Sequence, residues 1–376
     1  MFIGNAFNCY PFTMPAEIRR GILQDGAWIK KVPSYYTSTQ AAQFLACMGL
    51  DLGINENDIA SGSASTSLRS LTLIVKHFLL TFPWENTVMH YTPGHLMDVT
   101  PEGIFKRMIT EKTGGSYCFG MNSLLFGMLR ALGFRAYSGA ARVNEGSPGG
   151  PLEYSTLSHH IIFVQPEAGS NRTYIVDVGF GSGLMRPMLL SNEEDNVIFG
   201  LNSFENHRLT RKPTPNSNIS ASIETSASSG VPTEIKWNLE VLHQKKDDRD
   251  VAWRVLYSFT EDEFHLKDFQ AASFAVSMMP VPRGLFWNNI VCTKTFVLEE
   301  DHADRGMSDT SIRSGEEMYR LVMVGKEVKK HIGGETEIIK TLGTELERVR
   351  ALRESFGIDL RGDDVVHIGG RASALG

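Results

Sequence analysis

Apolar residues recur at helical spacing through the first third of the chain. Behind Thr37-Ser-Thr-Gln40, the positions Ala42, Phe44, Leu45 and Met48 predict a capped amphipathic helix ending near Gly49. Ser65 to Leu80 predicts a longer apolar helix that stops before Pro83. Thr100-Pro101-Glu102 reads as a helix start with proline at the first helical position, and Ile104, Phe105 and Met108 share one face. The strongest signal begins just after Cys118. Met121, Leu124, Leu125, Met128, Leu129 and Leu132 follow a 3.6-residue period, and Gly133 closes it.

Beyond Gly133 the pattern shortens to strand-like runs. Phe134 to Val143, His159 to Gln165 and Thr173 to Val178 are β-rich and separated by turn residues, among them Asn144-Glu-Gly-Ser-Pro-Gly-Gly-Pro151. Trp237 to His243, Val251 to Phe259 and Ile290 to Leu298 continue the strand pattern. Pro213 to Thr233, rich in Ser and Thr, reads as a mobile surface insertion. In the last third, Thr260-Glu-Asp-Glu263 and Thr344-Glu-Leu-Glu347 read as capping boxes opening two helices. Tyr319 to Val324 reads as a strand, and the Gly-rich tail from Arg361 as frayed. There is no internal repeat.

Composition narrows the class. The 376 residues are 42% hydrophobic and 21% charged, which excludes wholesale disorder and fibrous architectures. The 37 basic against 43 acidic residues leave a net charge of −6 with no basic run, so neither a nucleic acid nor an anionic membrane is an expected partner. Cys9, Cys47, Cys118 and Cys292 are too scattered for a disulfide scaffold, and no C-x-x-C pair suggests a structural zinc. The apolar stretch Leu71 to Leu80 is broken by Lys76 and His77 and is too short to span a bilayer. With no signal-peptide pattern in Met1 to Arg20, a cytoplasmic protein with reduced thiols is expected.

The candidate chemistry centres on Thr113-Gly-Gly-Ser-Tyr-Cys118, a glycine-rich turn that delivers Cys118 to the start of the strongest helix. Unpaired N–H groups and the helix dipole there favour a thiolate. Taken alone, Cys118 reads first as a buried small apolar residue. Two further segments change the balance. Ser158-His159-His160-Ile-Ile-Phe-Val164 puts His159 and His160 on opposite faces of a strand. Tyr174-Ile-Val-Asp177 places a carboxylate inside an apolar strand, where burial demands a partner. Two strands joined by the turn from Pro166 to Arg172 bring His159 near Asp177, and Cys, His and Asp together make an activated nucleophile. Gly179-Phe-Gly181-Ser-Gly183 lacks the helix a dinucleotide turn requires, and His159, His160 and Asp177 lack further ligands for a metal.

These residues resemble the arylamine N-acetyltransferase family, whose marks are an Arg-Gly-Gly-aromatic-Cys turn, a strand histidine and an Asp-Val-Gly-Phe-Gly segment. Here they stand as Gly114-Gly115-Ser116-Tyr117-Cys118, His159 and Asp177-Val178-Gly179-Phe180-Gly181, with Pro83-Trp84-Glu85-Asn86 matching a further family segment. Lys330-His-Ile-Gly-Gly-Glu-Thr-Glu337 and the Ser/Thr-rich insertion resemble the fungal members.

The resemblance implies an α+β fold: a helical bundle over residues 1–133, a β-barrel over 134–259 with the insertion at 213–233, and an α/β lid with the C-terminal tail over 260–376. It implies catalytic Cys118, His159 and Asp177. His159 rather than His160 matches the family's spacing to Val164. It further implies an acyl-CoA co-substrate with no permanently bound cofactor and no metal, and a small aromatic amine or hydrazine as acceptor. Ser155, Thr156 and Ser158 are candidate donor contacts, and Phe119, Phe180 and Phe286 candidate acceptor contacts.

A malonyl-CoA-using or amide-forming acyltransferase of secondary metabolism, rather than a detoxifying enzyme, is the alternative with the same triad. A cysteine protease, a transglutaminase and a non-catalytic binding protein are the rivals from other classes. One mark of the family is absent. Its arginine falls on Gly114 without a gap, or on Thr113 if Ser116 is an insertion, and Lys112 opposite Glu85 is the expected substitute.

Overall fold

A computed structural model describes residues 17–147, 149–214, 217–219, 234–244, 252–281, 284–298 and 318–375. The first helices are α1 (Ser38–Cys47), α2 (Glu56–Ser61), α3 (Leu68–Thr81), α4 (Val88–Tyr91), α5 (Pro101–Phe105) and α6 (Cys118–Ala131). Thr37 caps α1 reciprocally with Gln40, and Pro101 opens α5 behind the Thr100 cap. After α5 the backbone loosens into a π-turn over Lys106–Thr110. Gly133, at a φ of +92°, ends the α6 segment as its sequence position predicts. α6 is buried on almost every side, and its Leu124 and Met128 share the helical core with Phe44 of α1 and Leu71 and Phe78 of α3.

Among the described residues the strands form two sheets. The five-stranded sheet runs in the order β1 (Trp84–Glu85), β10 (Val291–Val297), β11 (Met318–Val324), β12 (Glu327–Ile332), β13 (Glu335–Thr341). The eight-stranded sheet runs β5 (Met188–Leu189), β4 (Tyr174–Val176), β3 (Tyr154–Gln165), β2 (Arg135–Asn144), β9 (Arg254–Phe259), β8 (Ile235–His243), β7 (Glu205–Pro213), β6 (Val197–Phe199). It curls until its two ends nearly meet, where Asn196 Nδ2 donates to the Leu189 carbonyl at 2.9 Å. The fold is therefore α+β.

Alternation along β3 sorts its side chains as the sequence pattern requires. Ile161 and Phe163 enter the barrel core with Trp237, Leu239 and Phe259, while Ile162 and Val164 join the helical core. Arg320 of β11 reaches back to Glu205 of β7 at 3.5 Å and joins the smaller sheet to the barrel. Burial opposes the Glu205 charge, but Arg320 and the neighbouring His243 and His207 hold its pKa down at about 2.

The last helices are α7 (Leu266–Met278), α8 (Leu285–Asn288) and α9 (Glu345–Phe356). Thr344 caps α9 as expected, but Thr260-Glu-Asp-Glu263 opens no helix. Glu261 is bound by Trp237 Nε1 at 2.9 Å and the Gln24 N–H at 2.6 Å, and the Phe264 N–H pairs with the Ser138 carbonyl at 2.8 Å. The chain thus stays extended until His265 and Asp268 form the true capping box of α7. Most of the insertion at 213–233, and Val251 at the head of a predicted strand, lie outside the described residues. Among the described residues no helix is long and apolar enough to cross a membrane.

The tail is not frayed. A 3-10 turn over Gly362–Ile368 buries Ile368. The Ser373 carbonyl then accepts from Arg348 Nη2 at 2.9 Å, and its hydroxyl meets His90 Nδ1 at 2.7 Å. Arg348 and His90 have no exposed surface. Deleting residues 369–376 therefore leaves two buried polar groups short of partners. It should cost about 2–4 kcal/mol in urea unfolding, whereas a free end would cost nothing.

Candidate active site

Three elements converge on Cys118. It is the first residue of α6, 5% exposed, and its thiol points at the Ser158 carbonyl of β3 at 3.6 Å. Tyr117 supplies no side-chain cap, so the first N–H groups of α6 remain available at the sulfur's end of the helix. The loop after β4 crosses Cys118 so closely that a Cβ on Gly179 would lie 2.7 Å from the Cys118 Cα. Glycine at this position is a requirement of that approach.

His159 lies behind the thiol, with Nε2 donating to Asp177 Oδ2 at 2.7 Å. Both side chains are almost fully buried. Asp177 Oδ1 accepts from Asn122 Nδ2 at 2.9 Å and from the Gly179 N–H at 2.9 Å. The Tyr257 hydroxyl faces the same carboxylate without completing a well-formed bond, and burial followed by that charge drives its own pKa well above the usual phenol value. Burial opposes charge on His159, but Asp177 and then Cys118 outweigh it and push the ring's pKa up to about 10. Asp177, although buried, is held below the usual carboxylate value by the imidazolium and its N–H donors.

His160 faces the other way. It stacks on Phe269 at 3.9 Å, meets Ser138 Oγ at 2.9 Å, and is held neutral by burial and by His159, with its pKa lowered to about 3. The structure thus brings Cys118, His159 and Asp177 together and leaves His160 in the helical core.

The remaining sequence candidates divide. Phe180 packs on the His159 ring at 5.3 Å and on Tyr257 at 5.4 Å. Phe286 of α8 packs on Tyr117 at 5.8 Å and Trp84 at 5.6 Å, one residue from the sulfur. Phe119 has no exposed surface and is wedged between Tyr117 and Phe269. Ser155, Thr156 and Ser158 sit at the entry of β3, where Ser158 Oγ donates to Ser155 Oγ at 3.1 Å. A cavity of about 640 Å³ opens elsewhere, among Trp28, Tyr137, Trp237 and Glu261, and none of the three central residues lines it. Among the described residues no group of three or more His, Cys, Asp or Glu side chains is placed to hold a metal ion.

Lys112 is not opposite Glu85. Its charge acts on the Cys47 thiol instead. The partner of the fully buried Glu85 is Arg107, whose Nη2 lies 2.7 Å from Glu85 Oε1. Lys112 follows the π-turn at a φ of +53°, and this reversal turns it away.

Sequence reasoning also passed over Asn122. It stands four residues after Cys118 on the same face of α6, and that spacing was the available signal. Its Nδ2 serves Asp177 and, at 2.6 Å, the His160 carbonyl, while its Oδ1 accepts from the Val178 N–H at 3.0 Å.

Residues 67–365 match the family model described as N-acetyltransferase. The chain belongs to the arylamine N-acetyltransferase family. It is 25% identical over 339 residues to the N-malonyltransferase FDB2 of Gibberella moniliformis, covering 86% of this chain and 90% of that one. The arylamine N-acetyltransferase of Mycobacterium abscessus shares the fold at a TM-score of 0.62 with 20% identity, over 90% of this chain and 98% of that one. That of Mycobacterium marinum, solved in complex with CoA, does so at 0.56 with 21% identity, over 86% and 96%. As an acyltransferase of this family, the protein is neither the protease nor the transglutaminase that Cys, His and Asp alone left open.

Two outcomes follow from the geometry. The Asn122→Ala variant leaves the Val178 N–H buried without an acceptor and takes a donor from Asp177. It should lose about 2–4 kcal/mol in chemical denaturation, and the iodoacetamide reaction of Cys118 at neutral pH should slow. The second outcome concerns pH. The His159 pKa rises from 6.5 to about 10 on folding, so its contribution is complete below pH 6.5 and lost as pH climbs through about 10. The Asp177 contribution has the opposite sense, present above 3.8 and lost in acid. Urea unfolding between pH 6.5 and about 10 should show wild-type stability declining with pH, and Asp177→Asn should lack that slope.

Proposed function

We propose that the protein moves a short acyl group, acetyl or similar, from acyl-CoA onto an aromatic amine or hydrazine through a thioester on Cys118. The observation that carries this reading is the His159 ring, committed at Nε2 to Asp177 and charged at neutral pH, beside the thiol at the start of α6.

In the first half-reaction the Cys118 sulfur attacks the thioester carbonyl. Negative charge builds on the carbonyl oxygen, where first-turn N–H groups of α6 can receive it. The carbon–sulfur bond to CoA breaks, and the departing CoA sulfur takes the proton that His159 held. In the second half-reaction the amine nitrogen attacks the acyl-cysteine and His159 accepts its proton. The Cys118 thiolate leaves, and the imidazolium–thiolate pair is restored. The two substrates never need to be bound together, so the kinetics are ping-pong. Asp177 keeps Nε2 protonated and leaves Nδ1 to exchange protons with sulfur and substrate. Phe180 and Phe286, on either side of Cys118 and His159, offer flat apolar surface to an aromatic acceptor. Ser155, Thr156 and Ser158 offer polar contacts to the donor.

A second reading, malonyl-CoA as donor, is favoured by the extent to which the Gibberella moniliformis N-malonyltransferase and this chain cover one another. It changes the acyl group and leaves the triad chemistry as it stands.

Mixing the protein separately with acetyl-, propionyl- and malonyl-CoA and recording the intact mass tests both readings. One donor should leave an adduct that disappears on adding an aromatic amine and is absent from Cys118→Ala. His159→Gln should slow adduct formation by about a hundredfold to ten-thousandfold. No adduct from any of the three donors would overturn the proposal.

A further inference from the structure

The turn over residues 113–118 sets the position of Cys118, and of its own side chains Tyr117 anchors it to α7, the hydroxyl meeting Ser273 Oγ at 2.5 Å and Ser277 Oγ at 3.2 Å. Two backbone links tie it to the Pro83-Trp84-Glu85-Asn86 segment. The Glu85 N–H donates to the Ser116 carbonyl at 3.0 Å, and Trp84 bridges Ser116 in parallel. The Asp359 N–H holds the start of the turn at the Thr113 carbonyl at 2.8 Å, and a further link comes from Arg107. Its Nε donates to the Gly115 carbonyl at 2.8 Å, and its Nη2 meets Glu85 Oε1 at 2.7 Å. One planar guanidinium therefore spans the turn and a carboxylate with no exposed surface.

Two local features aim Arg107 at this place. The π-turn over Lys106–Thr110 widens the helix end, with the Glu111 N–H reaching the Lys106 carbonyl at 2.8 Å. The Thr113 N–H then folds back onto the Arg107 carbonyl at 3.1 Å. At Gly114, a Cβ would lie 2.4 Å from Arg107 Nη2 and 3.3 Å from Glu85 Oε1. Position 114 is where an ungapped alignment puts the arginine of the family's turn motif. The space a side chain at 114 would enter is the space the Arg107 guanidinium fills.

We propose that Arg107 is a positioning residue for Cys118: its guanidinium reaches the nucleophile turn from the preceding helix and replaces the arginine that the turn itself lacks. Gly114 is the complement of that relocation. A side chain there and the Arg107 guanidinium exclude one another. The inference rests on the reading of Cys118 as nucleophile, but the clamp acts on thiol presentation, which is measurable without any acyl donor.

The experiment compares Arg107→Ala, Arg107→Lys, Arg107→Ala with Glu85→Gln, and Arg107→Ala with Gly114→Arg, with Lys112→Ala as control. Each is followed by thermal unfolding, by the pH profile of iodoacetamide alkylation of Cys118, and by the rate of acyl-adduct formation. Arg107→Ala strands the Glu85 charge and should lower the unfolding midpoint. Adding Glu85→Gln should recover the midpoint while alkylation and acylation at neutral pH stay about ten- to a hundredfold slow. Arg107→Lys, which keeps the charge but loses the fork, should fold normally and react several-fold slowly. Moving the arginine in the Arg107→Ala, Gly114→Arg variant should recover at least tenfold of the lost rate, and Lys112→Ala should match wild type. The proposal fails if Arg107→Ala with Glu85→Gln alkylates at the wild-type rate, or if the relocated arginine recovers stability without recovering rate. A wild type that alkylates at Cys118 but accepts no acyl group would sink the acyl-transfer reading and leave the clamp standing on the alkylation series.

Discussion

The structure turns on keeping the Asp177 carboxylate ionised where no water reaches it. A buried charge is tolerable only with a counter-charge and donors for its lone pairs. Here the His159 ring and the Gly179 N–H come from the strand side, and Asn122 comes from α6. The carboxylate is therefore a junction between the helical core and the barrel as well as a partner for the histidine. The same Asn122 that serves it also ties the Val178 N–H and the His160 carbonyl to α6. Satisfying Asp177 and fixing the angle between helix and strand are one act, and the sulfur at the start of α6 meets the ring as a consequence.

A second buried carboxylate lies beside the turn that precedes Cys118. Glu85 has no exposed surface, and its counter-charge is a guanidinium that also grips the turn before Cys118. Two buried carboxylates therefore flank the start of α6: Asp177 binds His159, and Glu85 binds Arg107, which also holds the Gly115 carbonyl. Glu85 lies on the short strand β1 and Asp177 directly after β4, and both draw partners from a helix or helix end. Helix and strand are each rigid over their length, so fixing their ends fixes the distance between Cys118 and His159 more tightly than loops could.

Much of this was legible in the sequence because it depends on period and punctuation. The α6 stripe, the Gly133 stop, the β3 alternation and the buried Asp177 are statements about spacing, and the fold class follows from them together with the family motifs. What escaped depends on partners distant along the chain. Thr260-Glu-Asp-Glu263 has the composition of a capping box, but Glu261 is claimed by Trp237 and Gln24, which stand 24 and 237 residues earlier in the chain. The tail looked loose because glycine and charge dominate it, and its anchors, Arg348 and His90, lie in other elements. β7 hid its role because the positions it buries at its start are Glu205, Asn206 and His207, which no hydropathy pattern marks as interior. Lys112 stood closer to the turn in sequence than Arg107 did, and only the π-turn decides which of the two cations faces Glu85.

Adjacent histidines show how far environment outweighs residue type. His159 and His160 share a strand, a degree of burial and a chemical identity, yet one is held charged to about pH 10 and the other neutral down to about pH 3. Burial depresses both, so desolvation cannot separate them. The difference is the carboxylate that β4 places against one face of β3, while the opposite face meets Phe269 and Ser138. The charge on His159 in turn helps to hold its neighbour neutral. A one-residue slip of β3 would turn His159 to the other face, take it out of reach of Asp177, and set Ser158 or His160 in its place. Strand register is therefore under the same constraint as the charge on His159. The pairing of Gly139 with Ile161 through Arg135 with Gln165, unbroken by any bulge, is the stretch that enforces it.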